Sequence, residues 1–167
     1  MRREKRKTPK TETGSRGFKR GRSPLLIKQK KRWYTFMKII GRINIEIYKC
    51  ATNKKIITDD VVLTENRIHH IIERRGLEFY NKYKPEFKNI IENPDYIFKD
   101  IKADTVLASK SIDSDGKNVN IVLRLAVEGD DPCYKNSIIT AIKENEKRFL
   151  QRLRNGVILY KRVDCEE

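Results

Sequence analysis

The stretch ITDDVVLTENRIHHIIERRGLEFY, residues 57–80, decides how the rest of the chain is read. It begins with a short apolar run, Val61, Val62 and Leu63, and Thr64 then supplies a hydroxyl of the kind that starts helices. From Glu65 the pattern turns helical. At about 100° per residue, Ile68, Ile71 and Ile72 fall on one arc that can pack on a core. Arg67, His70 and Arg74, spaced i, i+3 and i+7, form a stripe along the edge of that arc. Two guanidinium groups and an imidazole in line suit a site that grips a phosphate and moves a proton; a plain solvated helix face is the competing reading. His69 points about 100° away from His70, toward Glu73, and reads as a surface residue with a weak helix-stabilising partner.

Outward from this helix the chain is mixed. Before it, residues 42–49 (RINIEIYK) alternate Ile43, Ile45 and Ile47 with Asn44, Glu46 and Tyr48, the period of a half-buried strand. After it, residues 77–92 are helical but contain Pro85, so a kink or two short helices is expected. Residues 96–101, 105–112 and 119–127 then read as strands, the last two joined by a hairpin turn through Asp115-Gly116. In VNIVLRLAV, Val119, Ile121, Leu123, Leu125 and Val127 make one apolar face, and Arg124 belongs to the opposite one. Residues 137–142 form another strand, 144–154 a helix ending at Asn155-Gly156, and 157–163 a closing strand. That order is α+β, with helices packed on a twisted sheet.

Charge divides the chain in two. The 38 lysines and arginines outnumber 23 aspartates and glutamates, for a net charge of +15. Residues 1–32 alone carry 14 of the cations and two glutamates. Residues 1–36 therefore read as a disordered basic tail with too little apolar area to offset ordering entropy, and residues 37–163 as the domain. The tail suits a nonspecific nucleic-acid arm; alternatively Met37 is the true start and the tail is no part of the working protein. Cys50, Cys133 and Cys165 have no metal-ligand spacing, so reduced thiols in a cytosolic setting and no metal are expected. No apolar run is long enough for a membrane-spanning helix.

Five segments, in order, resemble one family: ITDDVVLTENRIHHIIERR, IIENPDYIFKD, VNIVLRLAV, YKNSIITAIKENEKR and NGVILYKR. Together they are similar to the phage-borne barnase–EndoU–colicin–RelE-like nuclease domains, over roughly residues 38–163. The resemblance implies a barnase/RelE-like ribonuclease fold, with N-terminal helices packed on a four- to five-stranded antiparallel sheet. It also implies metal-independent RNA cleavage by 2′-hydroxyl attack, with no cofactor, in a bacterial host cytoplasm or associated with a virion. RNA is the expected partner, an immunity or antitoxin-like protein a second, and a membrane none. One departure stands out: members usually read Glu-Arg-His where this chain has Glu73-Arg74-Arg75, and Gly76 replaces the proline that follows. A noncatalytic RNA-binding or virion-associated protein that keeps the fold is therefore the alternative.

Metal-free RNA cleavage needs a base for the 2′-hydroxyl, an acid for the leaving 5′-oxygen, and cations for the crowded phosphorane. A histidine's ordinary pKa, ~6.5, suits proton transfer, and arginine offers a fixed charge and a bidentate fork. His70 is the proton-transfer candidate. Arg67, Arg74 and Arg124 are the candidate phosphate-holding cations, and Ser137 a hydroxyl to orient the phosphate. Lys135, Asn136, Thr140 and Lys110 are candidate substrate contacts, with a plain solvated lysine the better reading of Lys110. Ser137 and Thr140 lie on opposite faces of an ideal strand, so both cannot face one site unless Lys135-Asn136 forms a bulge; Ser137 with Asn136 near the strand entry is the preferred reading and Thr140 the second.

Overall fold

The computed structural model describes residues 37–112 and 117–163, and the tail lies outside them. Strands β1 (Met37–Arg42) and β2 (Asp60–Thr64) lead into helix α2 (Glu65–Arg75), with a short helical turn α1 (Ile45–Tyr48) between the strands. Helices α3 (Leu77–Tyr83) and α4 (Phe87–Glu92) follow. Strands β3 (Tyr96–Lys99), β4 (Thr105–Ile112), β5 (Lys117–Arg124) and β6 (Asn136–Glu144) then run on to helix α5 (Glu146–Asn155) and strand β7 (Ile158–Lys161). Pro85 sits in the single 3₁₀ turn that separates α3 from α4, so the expected break takes the form of two short helices.

The fold is α+β, but the sheet is larger than the four to five antiparallel strands expected. It has seven strands in the order β1-β2-β6-β5-β4-β3-β7. It is also mixed: Val61 and Val62 of β2 pair in parallel with Asn136 and Ser137 of β6, while the other neighbours are antiparallel. The apolar run Val61-Val62-Leu63 is buried in β2, which has β1 and β6 as its neighbours in the sheet.

Of residues 42–49, expected as a strand, only Arg42 is in one, at the end of β1. Asn44 intervenes: its side-chain oxygen accepts the Glu46 N–H at 3.1 Å, an N-cap that turns the chain into α1. The alternation of isoleucines is then overridden by tertiary packing. Ile43 and Tyr48 are the buried residues, and the Tyr48 hydroxyl donates to the Ile91 carbonyl at 2.9 Å. Gly41 in β1 permits the close approach of α4, because a Cβ there would stand 2.8 Å from Glu92 Oε1.

One sheet face carries the core. Val119, Ile121, Leu123 and Leu125 meet Ile71 of α2, Tyr80 and Tyr83 of α3, and Phe87, Ile90 and Ile91 of α4. The opposite face is only partly covered. Helix α5 lies over it at the β3 side, where Phe149 meets Tyr96 and Phe98 edge-on at 5.6 and 6.5 Å. Arg152 also pairs there with Glu144. Burial pushes the Glu144 carboxyl up, but the Arg152 guanidinium and the Asn120 amide beside it outweigh that and hold it below its ordinary value. The other end of this face, over β2, β6 and the end of β5, is left open.

The β2–β6 seam is fastened by one side chain. Asn136 is fully buried, and its amide nitrogen donates to the carbonyls of Thr58 and Asp60 at 2.7 and 3.1 Å. Its oxygen accepts the Ala126 N–H at 2.8 Å. Three strand ends are thereby joined, and loss of that carboxamide removes the side-chain partner of three backbone groups. Asn136→Ala is expected to cost roughly 2–4 kcal/mol in urea unfolding, whereas Asn66→Ala at the surface should stay within about 0.5 kcal/mol.

Candidate active site

The open part of the sheet face forms a cleft of about 650 Å³. Its floor is Val62, Ser137 and Ile139, with Arg124 at the end of β5. Residues Leu125, Ala126, Asp130, Cys133, Tyr134 and Lys135 of the β5–β6 loop make one wall; Thr64, Asn66 and Arg67, where β2 becomes α2, make the other. Val62 lies beside Ser137 in the parallel pair and Arg124 opposite Ser137 in the antiparallel one, so the three side chains share a face.

A bulge shapes the floor. Val122 pairs with Thr140 but the adjacent Leu123 pairs with Ile138, which leaves Ile139 as an extra residue in β6. The bulge therefore stands at Ile139 rather than at Lys135-Asn136. Beyond it the buried positions shift from Ile138 to Ala141, so Ser137 and Thr140 do lie on the same face.

Three cations reach the cleft. Arg124 donates to the Leu125 carbonyl and holds Asp130 at 3.2 Å. Asp130 in turn accepts the Val127 N–H at 3.0 Å, which fixes the loop wall. Lys135 holds Asp60 at 2.7 Å. Among the described residues Arg67 pairs with no carboxylate. The start of α2 adds to its charge: Thr64 occupies the N-cap without a side-chain hydrogen bond, so the first helical N–H groups remain available beside Asn66 and Arg67. Fixed cations, helix N–H groups and a serine hydroxyl around an open floor make a receptor for an anion such as a phosphate.

Of the residues singled out from sequence, the cleft brings together Arg67, Arg124, Lys135 and Ser137. His70 is half-buried one turn along α2 from Arg67 and does not line it. Arg74 is exposed in the last turn of α2, and Thr140 lies a step beyond the floor. Two readings need correction. Asn136 cannot contact a substrate, because it is buried and its carboxamide is already bonded to backbone on both sides. Lys110 is bound to the Asn93 carbonyl at 2.8 Å and to Asp95 at 3.3 Å, away from the cleft, so it is a structural tie. Asn66, Asp130 and Tyr134 were not singled out. The only signal for the last two was their place in a polar loop next to Lys135, and such loops often carry function.

The structure thus presents a sheet-face cleft lined by cations, a serine hydroxyl and the start of a helix. The chain belongs to the phage-Barnase-EndoU-ColicinE5/D-RelE like nuclease2 family, whose model matches residues 35–161. No curated protein and no solved structure matches it significantly. Arg75, the departure noted from the sequence, is exposed at the far end of α2 from the cleft. Gly76 has φ of 90°, a backbone that the usual proline could not adopt.

The cleft rim has a pH signature. The hydrogen bond from Lys135 to Asp60, with Arg42 also nearby, holds the Asp60 carboxyl below its ordinary range. A depressed carboxylate contributes stability above its unfolded pKa, about 4, and loses it as pH falls through the lower folded value. Melting temperature should therefore be flat down to about pH 4 and fall below it. Asp60→Asn should lower the plateau and make the acid limb shallower; an unchanged limb would show that the pair carries no linkage.

Proposed function

We propose that this chain is an endoribonuclease that cuts RNA without a metal ion, by attack of a 2′-hydroxyl on the adjacent phosphodiester. The observation that supports it is the meeting of Arg67, Arg124 and Lys135 around Ser137 on the sheet face opposite the core. In the proposed reaction a base removes the 2′-hydroxyl proton as the O2′–phosphorus bond forms. The phosphorus–O5′ bond then breaks and an acid protonates the leaving oxygen, giving a 2′,3′-cyclic phosphate and a 5′-hydroxyl.

Each group has a stated task. Arg67, with the start of α2, offsets charge on the phosphorane oxygens. Arg124 contributes the guanidinium donors that its bonds to Leu125 and Asp130 leave over, those bonds also fixing its direction. Ser137 orients the phosphate through its hydroxyl, and Lys135 binds the flanking backbone. His70 is the proposed proton carrier, placed by the helix one turn deeper on the same flank as Arg67. Arg74 continues that flank.

A second reading, a noncatalytic RNA-binding or virion-associated protein, is favoured by His70 standing outside the cleft lining. Incubation with mixed RNA in EDTA separates the two. Cyclic-phosphate ends support the enzyme, and retention of uncut RNA supports the binder. Arg67→Ala is expected to slow cleavage by roughly 10²–10³-fold. His70→Ala should lower it by roughly 10²-fold or more with the fold intact, while His69→Ala changes little. Equal activity in the two histidine variants would remove His70 from the mechanism.

A further inference from the structure

The same two elements that bound the cleft also bound a second hollow, of about 460 Å³. Helix α2 enters the cleft at its start with Arg67 and reaches the hollow at its end with Arg75. Strand β6 supplies Ser137 to the first from the face opposite the core and Lys143 to the second from the helix-covered face, so a chain joining them passes over α2 at the sheet edge. Gly76 and helix α3 supply the rest of its lining, with Lys82 and the half-exposed ring of Phe79 beside Leu77, Tyr83 and one carboxylate, Glu78. Between the two, exposed Arg74 continues the flank of Arg67 and His70. Arg67 and Arg75 are separated by about 12 Å along the helix axis, a distance that a few unpaired nucleotides span. Cations tracking a backbone beside an aromatic ring are the usual means of holding single-stranded nucleic acid.

Building on the ribonuclease reading, we infer that the substrate is single-stranded RNA laid along α2, its scissile phosphate in the cleft and its continuing strand in the hollow at Arg75 and Lys143. The hollow is then a binding subsite that acts on KM and plays no part in bond breaking. It also gives Arg75 a task, holding a phosphate.

The test compares a dinucleoside monophosphate with an unstructured RNA of about ten nucleotides. Arg75→Gln combined with Lys143→Gln removes two exposed charges and leaves the cleft untouched. The variant should cut the longer RNA with kcat/KM lowered about tenfold, through KM, and the dinucleotide at the wild-type rate. For a non-cleavable 2′-deoxy version of the longer strand, the slope of log Kd against log salt should shrink by about 1.4, the value for two single-strand phosphate contacts. Equal losses on both substrates, or no loss on the longer one with an unchanged slope, would overturn the inference. Cleavage of neither substrate by the wild type would instead overturn the ribonuclease reading beneath it.

Discussion

The constraint on which the site depends is the two-residue parallel seam between β2 and β6, locked by the Asn136 carboxamide. A parallel pair needs a crossover, and here the long excursion from β2 through three helices and three strands supplies it. Because the seam stops at Val62 and Ser137, β6 runs on without β2 as its neighbour, and α2 packs along it instead. The start of α2 is thereby delivered to the rim of the sheet, with Arg67 facing the strand that carries Ser137. Arg124 arrives from the other side by plain antiparallel register. The cleft follows from pairing geometry before any functional side chain is considered.

The charges in this cleft are held in place rather than left to solvent. Asp130 anchors Arg124 and the loop wall together, and Asp60 anchors Lys135 to β2. Such pairs contribute little net stability when partly exposed. Their effect is to fix the direction of cations that would otherwise sample many rotamers, so that less ordering remains for a bound phosphate to impose. Arg67 differs in having the helix start as its neighbour, and it is the cation best placed to respond to a ligand.

Much of this was legible in the sequence, and the failures have physical causes. The helix α2, the strands β4 and β5, and the core face of β5 were readable because each is a local period of 3.6 or 2, while the hairpin turn read at residues 113–118 lies largely outside the described residues. The turn α1 was misread because Asn44 caps it, and a single side-chain hydrogen bond reversed what three isoleucines suggested. The size and mixed character of the sheet were hidden, since β1 and β2 join it through contacts remote in sequence. Asn136 reads as a substrate contact because it stands in the YKNSIIT segment that resembles the family; its burial and its three bonds to backbone give it a structural task instead. The Ile139 bulge left no mark in the hydrophobic pattern, yet it puts Ser137 and Thr140 on one face.

The central claim is that Arg67 and Arg124 hold the scissile phosphate on this sheet face. The most direct measurement is a crystal structure with a short RNA whose reactive 2′-hydroxyl is replaced by hydrogen. The account predicts one phosphate over Ser137, within about 2.7–3.2 Å of guanidinium nitrogens of both arginines. A strand bound elsewhere, with Arg124 still closed on Asp130 and no phosphate over Ser137, would contradict it.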